Sequence, residues 1–182
     1  MEKLILEQIV NILSDNKQLM RIAIRQREKF EGWLKFELAN RIEKLGFNEV
    51  EIETKVEWRR NRPDISFYEE DDFYRIELKT CNTSWKIDGI SKKGKPITDN
   101  IKGVTNDAKK LNSNYGIVAF VMFPIPKNDI RCKPYIERIK EETKIEIDYK
   151  LNCKILAMEI DDSNTCDLLV CLFMSRKFNN WY

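Results

Sequence analysis

The 182-residue chain is predicted to form one mixed α/β domain around a single sheet, with helices on both faces. Three observations lead there. Apolar residues recur at helix spacing through the first fifty positions. Period-two alternation takes over from Val50. Tyr115–Phe123 (YGIVAFVMF) is a continuous apolar run, the mark of a strand covered on both sides.

Leu4, Ile5, Ile9, Ile12 and Leu13 mark a first helix, and Ser14-Asp15-Asn16 reads as its break. A second helical stretch runs to about Leu45, where Gly46 stops it, with Phe30, Leu34, Leu38, Ile42 and Leu45 along one face. A strand follows over Val50–Trp58, then strands over Asp64–Tyr68 and Phe73–Thr80 with the acidic tetrad Glu69–Asp72 at a hairpin tip. A polar loop spans Asn82–Pro96 and leads to a helix from about Thr98 to Leu111. The buried strand comes next, and the step from strand through helix to strand predicts a right-handed crossover. A helix over Tyr135–Glu142 and strands over Cys153–Ile160 and Asp167–Met174 close the chain.

Apolar residues make up 42% and charged residues 34%, a globular composition with a heavily charged surface. The absence of histidine removes Ser-His and Cys-His hydrolases and every histidine metal site. Six glycines form no phosphate-cradling loop, so no nucleotide cofactor is expected. Five cysteines without a CxxC pair read as free thiols in a reducing, cytoplasmic setting, and no membrane segment is expected. Net charge is only +2, but two basic clusters stand out. Arg59, Arg60 and Arg62 form one, and Lys86, Lys92, Lys93 and Lys95 the other. Flanking a carboxylate site, they read as a phosphate-binding rim.

That site follows from the hairpin. With Glu70-Asp71 at the tip, Ile65 falls opposite Ile76 and Asp64 opposite Glu77. Ile65, Phe67, Tyr74, Ile76 and Leu78 then share a core face, while Asp64, Ser66, Arg75, Glu77 and Lys79 share the other. Directly opposed residues have Cβ atoms about 4.5–5.5 Å apart. Two carboxylates at that distance repel, and a hard cation such as magnesium relieves the repulsion. Lys79 could orient or deprotonate an attacking water, or offset charge on a phosphoryl group.

Pro63-Asp64, twelve intervening residues and Glu77-Leu78-Lys79 resemble the signature of the PD-(D/E)xK nuclease superfamily, the restriction-endonuclease-like fold. The likeness covers roughly Phe30 to Phe123, where the order helix-strand-strand-strand-helix-strand is also that of the superfamily core. Around that core the chain is expected to divide into an N-terminal helical extension over 1–28, a catalytic core over 29–124, and a C-terminal helix and two strands over 125–182 that complete the sheet or form a dimer surface. The likeness implies Asp64, Glu77 and the Leu78 carbonyl as metal ligands, Lys79 as the residue positioning water, and Mg²⁺, replaceable by Mn²⁺, as the cofactor. Many members add a glutamate from the first core helix, for which Glu37 is the first candidate and Glu31 the second. Lys102, Asn106, Lys109 and Lys110 are available on the second core helix, and Trp85 and Lys86 lie in the loop beyond Lys79. The activity implied is hydrolysis of DNA by a homodimeric endonuclease in defence or repair. A Holliday-junction-resolvase-like enzyme and a non-catalytic nucleic-acid-binding domain are the alternatives, with a ribonuclease-H-like enzyme behind them.

Overall fold

The computed structural model describes residues 1–53, 62–90, 94, 96–111 and 115–175. Ile5, Leu6, Ile9, Ile12 and Leu13 fall on one stripe and draw Glu2–Asp15 into helix α1, packed against the sheet. Helix α2 (Lys17–Gln26) follows at once, then α3 (Glu31–Lys44). The strands and remaining helices run β1 (Asn48–Ile52), β2 (Ile65–Glu69), β3 (Asp72–Asn82), α4 (Ile97–Leu111), β4 (Gly116–Ile125), α5 (Lys133–Thr143), the one-turn α6 (Tyr149–Asn152), β5 (Cys153–Glu159) and β6 (Thr165–Met174). Among the described residues six strands join one sheet in the order β1-β2-β3-β4-β6-β5. Among these described strands only β3 and β4 pair in parallel, and α4 lies between them in the chain.

The sheet is covered on both faces, as its sequence pattern requires. Ile65, Phe67, Tyr74, Ile76, Leu78, Ile117 and Ala119 pack with α1, α2 and α3. Val118, Phe120, Met122, Cys171 and Phe173 pack with α4 and α5. Every residue of β4 is buried, so its apolar run serves both layers. All five cysteines are free and buried. Among the described residues no helix is long and apolar enough to cross a membrane.

Three local expectations need correction. The stretch expected as one helix to Leu45 is two, because Arg27 adopts a left-handed backbone (φ 48°, ψ 36°) that ends α2. Its buried guanidinium donates to the carbonyls of Thr83 and Trp85 and pins the loop after β3. Leu45 lies just past α3 and is 45% exposed instead of joining the core face. The first strand begins earlier than predicted and ends at Ile52; residues 54–61, in which the rest of the expected strand falls, lie outside the described residues.

Candidate active site

The β2–β3 hairpin has the register that its two-residue tip dictates: Ile65 opposite Ile76, Ser66 opposite Arg75, Phe67 opposite Tyr74 and Tyr68 opposite Phe73. Pairing stops at Ile65, one residue short of Asp64. β3 runs on past β2 to Asn82, and carboxylates take over its amides there. Asp64 Oδ2 accepts from the Leu78 N–H at 2.8 Å, and Glu31 Oε2 accepts from the Thr80 N–H at 2.9 Å. Asp64 therefore sits at the edge of β3, in contact with its backbone, and not squarely on the polar face with Glu77. The Leu78 carbonyl points to the same edge, because N–H and C=O of one residue share a side of a strand.

Lys35 closes this edge from α3. Its side chain is 10% exposed, and its ammonium contacts Glu53 and lies 3.4 Å from Asp64 Oδ1. Burial pulls Lys35 down, but the bond to Glu53 and the charge of Asp64 outweigh it and hold its pKa above the ordinary lysine value. Lys35→Met would strip Asp64 of this cation. It is expected to lower stability by about 1–2 kcal/mol, less than a fully buried pair because Glu53 reaches solvent. Thermal unfolding without divalent ions measures this, and an unchanged midpoint counts against the electrostatic role given to Lys35.

Glu77 and Lys79 project toward α4. Burial first, then the charges of Asp64 and Asp107, push the Glu77 carboxyl up from 4.5 to about 8. Lys79 Nζ meets Asp107 Oδ2 at 2.8 Å, and Lys110 Nζ lies 3.4 Å from Asp107 Oδ1. Burial works against the Lys79 charge, but Asp107 and then Glu31 outweigh it and raise its pKa above the ordinary value. Lys79 is thus a fixed cation at neutral pH, suited to orienting and charge stabilisation and not to removing a proton. A Cβ on Gly103 would come within 3.2–3.3 Å of the Lys79 side chain, so the lysine stem crosses α4 at a helix position without a side chain.

The other expected residues divide between the site and its surroundings. Glu37 lies about 160° round the helix from Lys35 and about 120° from Glu31. No hydrogen bond or ion pair links it to Asp64, Glu77 or Lys79 among the described residues; Glu31, the second candidate, is the glutamate that reaches β3. Lys102 is exposed, about 140° round α4 from Asp107. Its charge acts on Glu142 of α5. Arg62 is exposed beside the buried Pro63, and its charge acts on Glu53. Lys86 lines a cleft with Pro126, Lys127 and Ser163–Thr165, whereas Asp64 lies on the β2 side of β3. Arg59, Arg60, Lys92, Lys93 and Lys95 lie outside the described residues. Trp85 packs on Tyr135 at 6.2 Å beneath the Arg131 guanidinium, a core anchor.

Sequence reasoning missed Lys35 and Asp107. A lysine four residues after Glu31, and an aspartate three before Lys110, read as ordinary pairs on a wet helix. Their signal lay in helix phase: Lys35 adjoins the Leu34/Leu38 face, and Asp107 adjoins the Val104/Ala108/Leu111 face.

Among the described residues no three Asp, Glu, Cys or His side chains form a ready-made metal cage. Two carboxylates with a backbone carbonyl nevertheless fit magnesium, which keeps several waters and takes one or two carboxylates from the protein. The upward push on Glu77 by neighbouring carboxylates is what a bound cation would offset. No protein-family model, no curated protein and no solved structure matches this chain.

Proposed function

We propose that the protein is a metal-dependent endonuclease of the PD-(D/E)xK kind that hydrolyses DNA phosphodiester bonds. The observation that carries this reading is that Asp64 accepts the Leu78 N–H at the edge of β3 close enough for its charge to act on Glu77, with Lys79 beyond on the same strand. Asp64, Glu77 and the Leu78 carbonyl would hold magnesium or manganese, which supplies an activated water and offsets charge on the phosphoryl group. Lys79 presents a permanent ammonium to that water or to a phosphate oxygen. Lys35 holds Asp64 from the other side and keeps its carboxylate oriented toward β3. Arg62 and Lys110 place positive charge at the rim, where a polyanion approaches. Two copies related by a twofold axis would cut both strands of a duplex.

The test is cleavage of plasmid, linear, forked and four-way DNA with magnesium, with a chelator as control. Preference for the four-way substrate selects the junction-resolvase form. DNA binding without cleavage, and without magnesium or manganese binding in calorimetry, selects a non-catalytic binding domain. If Asp64→Ala, Glu77→Ala and Lys79→Ala all cut as well as the unaltered protein, the site is misassigned.

Gly103→Ala separates positioning from stability. Alanine favours the helix by up to about 1 kcal/mol over glycine, yet its methyl group presses on the Lys79 stem. Cleavage is expected to fall about tenfold while the melting temperature holds or rises. Undiminished cleavage would show that Lys79 tolerates the displacement.

A further inference from the structure

Asp107 is costly where it stands. It is 7% exposed on α4, and its charge adds to the repulsion that burdens Glu77. A buried carboxylate loses hydration that only close partners restore. An apolar residue there would extend the Val104/Ala108/Leu111 stripe at no such penalty. Its partners are Lys79 from β3 on Oδ2 and Lys110 from α4 on Oδ1, so one carboxylate gathers two ammonium groups from different elements. Gly103, one turn earlier, gives the Lys79 stem its path to that carboxylate. Lys110 is 53% exposed at its side chain and Lys79 24%, so both remain open to an incoming anion while anchored from beneath.

We propose that Asp107 is a positioning residue that holds Lys79 and Lys110 side by side at the Asp64–Glu77 edge, and that Lys110 is a phosphate-binding residue for the strand being cut. Lys79 then faces the attacking water and Lys110 a non-bridging oxygen of the same or the neighbouring phosphate. The proposal rests on the nuclease reading above, adds Asp107 to it and gives Lys110 of the rim a defined phosphate contact. Asp107 acts only through the lysines and touches neither metal nor nucleic acid.

The experiment compares Asp107→Asn, Asp107→Glu and Lys110→Ala with the unaltered full chain, cutting a duplex oligonucleotide at saturating magnesium. Asp107→Asn is expected to lower kcat about 10–100-fold with KM changed less than about threefold, because a carboxamide keeps the shape but releases the ammonium groups. Asp107→Glu restores most of the rate. Lys110→Ala raises KM and flattens its dependence on salt by about one phosphate contact. A second readout needs no cleavage: acylation of Lys79 by an activated ester, followed by mass spectrometry against Lys150, accelerates several-fold in Asp107→Asn. Equal labelling of Lys79 in both proteins, kcat within twofold of the unaltered chain, or an Asp107→Glu variant no better than Asp107→Asn would each overturn the proposal. An unaltered chain that leaves DNA intact in magnesium overturns the nuclease reading instead, and the labelling result still decides whether Asp107 holds Lys79.

Discussion

Asp64→Asn is expected to lower magnesium-dependent DNA cleavage by roughly 10²–10³-fold while the protein keeps its fold. An asparagine oxygen can still accept the Leu78 N–H that Asp64 takes at 2.8 Å, so the end of the hairpin stays anchored. What disappears is the negative charge that would hold a divalent cation. The substitution also removes one of the charges pushing the Glu77 carboxyl upward, so Glu77 ionises more readily. If the site needed only an ionised Glu77, Asp64→Asn would therefore preserve or improve activity. Single-turnover cleavage at saturating magnesium separates these outcomes, and a rate within threefold of the unaltered protein removes Asp64 from the ligand set.

Glu77→Gln is expected to abolish cleavage and, without metal, to stabilise the protein in a pH-dependent way. In the folded chain burial, Asp64 and Asp107 raise the Glu77 carboxyl from 4.5 to about 8. Between those values the folded state keeps a proton that the unfolded chain has lost. Folding stability thus falls as pH rises from 4.5 to about 8 and levels off above. The largest cost this allows is about 5 kcal/mol, and partial exposure of the half-buried side chain reduces it to about 2–3 kcal/mol. Glutamine carries no such cost. The two proteins should melt together near pH 5 and diverge by roughly 5–10 °C at pH 9. Saturating magnesium closes the gap, because the ion stabilises only the protein that retains its carboxylate. Melting curves that stay parallel from pH 5 to 9 would show that Glu77 is not under electrostatic strain.

The sequence made the hairpin legible and left its surroundings obscure, for a physical reason. A two-residue tip fixes pairing by counting, so the register from Ile65 to Tyr68 follows from chain order and alternation alone. The apolar run through Phe120 likewise announces a strand buried on both faces. Arg27 shows the limit, since an arginine is a good helix former. Only its tertiary bonds to the Thr83 and Trp85 carbonyls reveal why the helix stops there. Asp64 misled by one residue, because capping the Leu78 N–H competes with continuing the ladder. Ranking Glu37 before Glu31, and leaving Lys102, Asn106, Lys109 and Lys110 unranked, have a common cause. Each choice needs the rotation of a helix about its axis, which packing sets and charge content does not.

The ranges over which these contacts close also order the assembly of the site. Asp64 meets Leu78 across 14 residues, Lys35 meets Asp64 across 29, and Glu31 meets Thr80 across 49. Chain closure costs more as the loop lengthens, so the hairpin is the natural nucleus and the helices dock on it later. On that ordering Asp64 and Glu77 would be brought together before Lys35 and α4 reach them. A nascent chain would pass through a stage with its carboxylates gathered beside Lys79 and the balancing charges of Lys35 and Lys110 still absent.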